Sequence, residues 1–140
     1  MIISGHFDKI FSEDCFFSGP KINNGTLIIC VRNIGVISGH PLFPASWQTA
    51  IRYFAAGHFI FDGVEASIRE ISEYEVSRHV NKFKPKRTIQ DGPFIVTAGK
   101  KESFRFMGVL DSPPAWTDWT VIADSFSLEI PESESLGTSI

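Results

Sequence analysis

Trp119, Val121 and Ala123 alternate with Asp118, Thr120, Ile122 and Asp124; then the phase slips, and Phe126, Leu128 and Ile130 alternate with Ser125, Ser127 and Glu129. Successive side chains of a β-strand point to opposite faces, so each half of this stretch has one apolar and one polar side. One extra residue at Asp124-Ser125, a β-bulge, keeps both apolar sets turned toward a single core. The stretch predicts a long half-buried strand whose other face is lined by carboxylates and small hydroxyls.

The rest of the chain has the same texture. Thr26–Arg32 is rich in branched residues and follows Asn23-Asn24-Gly25, a strong turn signal. Asn33 to Gly35 are expected to turn that strand into Val36-Ile37-Ser38, and Gly39-His40-Pro41 with Pro44 predicts a loop. Residues 46–57 fit two patterns. As a helix, Ser46 caps the start, Trp47, Ile51 and Phe54 form a stripe, and Gly57 closes the end. As a strand, the favoured alternative, Trp47, Thr49, Ile51 and Tyr53 share one face opposite Gln48, Ala50 and Arg52, and Ala56-Gly57 turns the chain into Phe59-Ile60-Phe61. Further on, a strand is expected through about Val76, then an irregular basic segment to Arg87, then a strand Phe94–Ala98 opened by Asp91-Gly92-Pro93. The nonapeptides Phe59–Ser67 and Phe104–Ser112 both read F-x-F-x-G-V-x-x-S, which suggests two related β-meanders with each glycine bending the end of a strand.

These elements predict a mainly β protein, an antiparallel β-sandwich or open β-barrel of about eight to ten strands, with one short helix near 46–57 as the α+β alternative. Residues 1–130 form one domain in this reading and 131–140 a flexible acidic tail. Thirteen Phe against two Met point to a core of rigid aromatics that needs no metal or disulfide. The chain shows neither a membrane-length apolar run nor a secretory signal at its start, which favours the cytoplasm. There Cys15 and Cys30 are expected as free thiols, Cys30 buried within Leu27–Val31.

Charge is distributed unevenly. All thirteen Lys and Arg lie at or before Arg105 beside ten acids, a net +3, whereas the last 35 residues carry six acids and no base, a net −6. Asp118, Asp124 and Glu129 are expected in a row on the outward face, with Asp111 and Trp116 at its upstream end. Carboxylates at strand spacing can copy the phosphates of a nucleic acid, and arginine forks bind either one. Trp116 supplies an aromatic anchor of the kind that dominates interface energetics. Asp111, Trp116, Asp118, Asp124 and Glu129 are therefore the candidate docking residues for a basic protein partner.

Competing chemistries find less support. Arg78, His79, Lys82, Lys84, Lys86 and Arg87 form a basic cluster around Phe83, yet Glu65, Glu70, Glu73 and Glu75 precede it and the net charge is −3, so direct nucleic-acid binding is not expected. Ile-Ser-Gly-His occurs twice, ending at His6 and His40, and glycine before histidine suggests turns more than ligands. No metal-ligand spacing, P-loop, dinucleotide fingerprint or nucleophile elbow is present, so neither a metal nor a cofactor is expected. A Cys15–His40 nucleophile lacks an activating helix start.

The chain is short, acidic and mostly β, and it lacks catalytic motifs. In that general character it resembles bacterial immunity proteins or antitoxins that neutralise a nuclease toxin, a resemblance that rests on no family motif. It implies a non-enzymatic inhibitor that occludes a basic active site. Two other functions fit the sequence: a β-barrel carrier with an apolar pocket lined by phenylalanines, and a metal-independent ribonuclease using His58, His79 and Lys82.

Overall fold

A computed structural model describes residues 1–76, 81–83, 86–111 and 114–132. They form eleven strands and no α-helix of more than one residue: β1 (Ile2–Ser4), β2 (Ile10–Phe11), β3 (Phe16–Asn23), β4 (Thr26–Ile37), β5 (Ile51–Asp62), β6 (Ala66–Val76), β7 (Asn81–Phe83), β8 (Arg87–Asp91), β9 (Glu102–Asp111), β10 (Pro114–Ala123) and β11 (Ser125–Glu129). A 3-10 turn at Phe7–Lys9 separates β1 from β2. The strand path is β1-β11-β5-β4-β3-β9-β10-β6-β7, with β2 beside β4 and β8 beside β6. All pairings are antiparallel except the short parallel contact of β3 with β9. The expected open β-barrel or sandwich is the fold.

Two corners make the sheet curl. β5 runs into β6 through Gly63, whose φ of 63° suits a residue without Cβ, and β10 runs into β11 through Asp124 alone. The ladder continues across the bend, because Asp124 donates its N–H to Asp62 O (2.9 Å) and Glu65 donates to Ile122 O (2.7 Å). Strands near opposite ends of the path, β5 with β6 and β11 with β10, are thus joined covalently, and the sheet wraps one core. The phase slip at Asp124 is present as expected, with Trp119, Val121, Ala123, Phe126, Leu128 and Ile130 all buried. It marks a change of partner, however: β10 pairs with β6 and β9, and β11 with β5 and β1.

The core is aromatic. Phe61 stacks on Phe106 at 5.8 Å and 10°, Phe106 stacks on Trp119 at 5.5 Å, Phe17 and Phe59 meet Phe106 edge-on at 5.4 and 5.6 Å, and Phe126 meets Phe59 edge-on at 5.4 Å. The paired copies F-x-F therefore face one another across the core. Their glycines differ: Gly63 makes a corner, whereas Gly108 lies inside β9, where a Cβ would meet Phe17 and the Cys15 carbonyl. One polar network enters this interior. Trp119 Nε1 donates to Ser67 Oγ (2.8 Å), Ser67 Oγ donates to Asp91 (2.8 Å), and Arg69 forks onto Asp91 at 2.6 and 3.1 Å. These bonds satisfy an otherwise costly buried ion pair and fasten β8 to β6.

Four expectations are corrected. The helix alternative for 46–57 is not adopted: 46–50 form an irregular loop and β5 begins at Ile51. Ile51 and Tyr53 do share a face opposite Arg52, and it is Arg52 and Phe54 that face inward. Arg52 is accommodated there because it donates to Leu42 O (2.7 Å) and lies over the rings of Phe54 (4.5 Å) and Trp47 (5.3 Å). Neither Asn33–Gly35 nor Ala56-Gly57 turns the chain; Asn33 takes φ 59° opposite Ala55, and both strands shift phase there while keeping register. Finally, Phe94–Ala98 is not a strand, since Gly92-Pro93 interrupts the ladder and β8 ends at Asp91. The Asn24-Gly25 turn joins β3 to β4 as expected, with Asn24 at φ 57°.

Candidate functional site

The acids singled out in the sequence lie on two sides of the corner. Asp111, Trp116 and Asp118 share the outer face of the β9–β10 pair, where Trp116 sits opposite Val109 and Asp118 opposite Met107. Glu129 belongs to the outer face of β11, which has left β9 to pair with β5. Nor do they form the unpaired row that was expected. Asp111 binds Arg32 (3.0 Å), Asp118 lies 3.9 Å from Arg105, Asp124 binds Lys101 (3.0 Å) and Glu129 binds His58 (2.9 Å). The corrected picture is a mixed-charge face, because bases distant in sequence are brought beside these acids by strand pairing.

Asp124 has a structural task. Its carboxylate fills the space over Gly63 and Gly99, where any Cβ would strike it. Lys101 binds it and also donates to Gly63 O (2.8 Å), so the corner is tied to the start of β9.

Beside this corner lies a cleft of about 480 Å³, bounded by the end of β1, the 3-10 turn, the start of β9 and β11. Glu102 and Ser103 pair with Ala123 and Ile122 of β10 on one side, whereas β3 reaches β9 only at Val109 and Leu110, so the first residues of β9 have no strand partner on their other side among the described residues. Phe7, Phe104 and Phe126 line it, with ring centroids 5.0–6.3 Å apart. The remaining lining is polar: the carboxylates of Asp8, Glu102 and Asp124, the hydroxyls of Ser4, Ser103, Ser125 and Ser127, and His6. No Lys or Arg is among the lining residues. Asp8 is 79% exposed and only 4.0 Å from Lys9, and Glu102 is exposed. Oxygen acceptors above an aromatic floor suit a guanidinium or ammonium group. No local pattern signals this grouping, since Asp8 and Glu102 stand almost a hundred residues apart.

The two Ile-Ser-Gly-His copies both end in turns, with Gly5 at φ 75° and Gly39 at φ 102°. Folding brings their histidines together, the rings 5.8 Å apart. His40 is 2% exposed, and its Nδ1 accepts the Leu42 N–H (3.0 Å). Burial, with a smaller contribution from His6, pushes its pKa down to about 4. Among the described residues no group of three His, Cys, Asp or Glu is placed to hold a metal.

Both cysteines are free thiols as expected, but Cys30 is not buried. Cys15 is fully buried, and burial pushes its pKa up to about 12. Cys30 is partly exposed on the outer face of β4, because Leu27, Ile29 and Val31 take the inner one. His58 lies on the outer face of β5, while His79 and the Lys82 side chain fall outside the described residues, as do Arg78 and Lys84 of the basic cluster. No helix among the described residues is long and apolar enough to cross a membrane. The chain matches no protein-family model, no curated protein and no solved structure at a significant level.

Proposed function

We propose that the protein is a non-enzymatic binding protein for a basic protein partner, acting in the cytoplasm as an inhibitor of the immunity or antitoxin kind. The observation that carries this reading is the acidic cleft, whose lining offers the exposed carboxylates of Asp8 and Glu102 and four serines without one Lys or Arg, the third acid, Asp124, being held by Lys101. The docking surface thereby moves from the outer sheet face, where the acids have internal partners, to Asp8 and Glu102 at the cleft. A nuclease holds phosphates with Arg and Lys, and those groups are the ones such a cleft would engage. Occupying them blocks nucleic acid by steric exclusion and charge competition, with no chemistry required of the inhibitor.

The test is affinity purification from the native host with the wild-type chain and with an Asp8→Lys/Glu102→Lys double variant. Both positions are exposed, so the fold should tolerate the change. A basic protein retained by the wild type and lost by the variant, with retention weakening as salt rises, is the expected outcome. Equal retention by both chains, or partners that are not basic, would overturn the reading.

A further inference from the structure

Strand register places Cys30, His58 and Glu129 in one row on three adjacent strands: Cys30 faces His58 across β4–β5, and His58 faces Glu129 across β5–β11. All three lie on the outer surface, His58 and Glu129 with side chains 37% and 41% exposed. Directly opposed residues on one face of a sheet have Cβ atoms about 5 Å apart, within reach of an imidazole. His58 Nδ1 donates to Glu129 Oε1 at 2.9 Å. That bond fixes the tautomer and leaves Nε2 as the basic nitrogen. A thiol, an imidazole and a carboxylate that orients the imidazole are the parts of an activated nucleophile.

We propose that Cys30 is a reactive thiol served by the His58–Glu129 pair, and a site of reversible mixed-disulfide formation with low-molecular-weight disulfides. In that step the Cys30 proton passes to His58 Nε2 and the sulfur lone pair attacks one sulfur of the disulfide. The S–S bond breaks, and the departing thiolate takes the proton from His58. Cys30 is oxidised and the small disulfide reduced by the same electron pair. The row is open to solvent on the sheet face, so a small disulfide can approach it. Arg32, two residues along β4 on the same face, is turned to Asp111 at 3.0 Å and to the Phe16 ring. On the other side the partner of Cys30 is Ser18 of β3, with Lys21 farther along beside Ile28, so His58 is the base paired with Cys30 in the register. Glu129 accordingly positions His58 and is not a free docking carboxylate.

Cys15, fully buried in the same chain, is the internal control. The full-length protein is treated with iodoacetamide and, separately, with glutathione disulfide, and each cysteine is followed by peptide mass spectrometry. Cys30 should react and Cys15 should not while the protein is folded. His58→Ala should slow Cys30 at neutral pH by at least about tenfold and remove the imidazole limb from its pH–rate profile. Glu129→Gln should slow it less and shift that limb. Circular dichroism of both variants separates loss of activation from loss of fold, and Glu129→Gln decides should His58→Ala fail to fold. Unchanged Cys30 rates and pH profiles in a folded variant, or equal labelling of Cys15 and Cys30 in the wild type, would overturn the proposal.

Discussion

Replacing His40 with Asn should make the protein less sensitive to acid. In the fold His40 is buried, accepts the Leu42 N–H at Nδ1 and has its pKa pushed down from 6.5 to about 4. In the unfolded chain it keeps its ordinary value. Below pH 6.5 the unfolded state therefore takes up a proton that the folded state refuses, and stability falls as pH drops toward 4; above 6.5 both states are neutral and nothing is lost. A difference of 2.5 units at about 1.36 kcal/mol each gives roughly 3 kcal/mol in full, of which roughly 2.5 kcal/mol has gone by pH 4.5. An Asn at position 40 retains an oxygen to accept from Leu42 but does not titrate. Urea unfolding of both chains at pH 7.0, 5.5 and 4.5 measures the effect, and other carboxylates and imidazoles cancel in the difference. The variant should be the less stable at pH 7, through lost packing, and should gain on the wild type by about 2 kcal/mol at pH 4.5. A stability difference that stays constant across that range would refute the reasoning.

Two further substitutions test the corner and the buried ion pair. Gly63→Ala places a methyl against the Asp124 carboxylate at a φ of 63°, and should cost about 1–3 kcal/mol, seen as a lower melting temperature. An unchanged melting temperature would mean that the corner is not held as described. Asp91→Ala strands Arg69, whose side chain is 11% exposed, and should cost about 3–5 kcal/mol in chemical denaturation, whereas a loss below 1 kcal/mol would show that water reaches the guanidinium.

The sequence made the alternation visible wherever a strand keeps one apolar face, which is why the phase slip at Asp124 and the turn at Asn24-Gly25 were legible. Alternation says nothing of which strands become neighbours. The slip accordingly looked like a bulge in one strand, and the acids looked unpaired although Arg32, Lys101 and Arg105 come to rest beside them. The inward face of β5 was not legible, since the burial of Arg52 depends on a carbonyl and two rings supplied by residues 42–54. For Cys30 a usable signal did exist. The inward run Leu27, Ile29, Val31 already assigns it to the opposite face, but its meeting with His58 and Glu129 spans 28 and 71 residues of chain and needs the register. The cleft depends on residues from both ends of the described chain and has no local signature at all.

The bends at Gly63 and Asp124 also govern how the molecule comes apart. At each bend two consecutive strands, β5 with β6 and β10 with β11, are shared between opposite sides of the sheet. Neither side owns a complete set of hydrogen-bonded neighbours, so loosening one strips the other of its support. The molecule should melt as a single cooperative unit, without a surviving half-sheet.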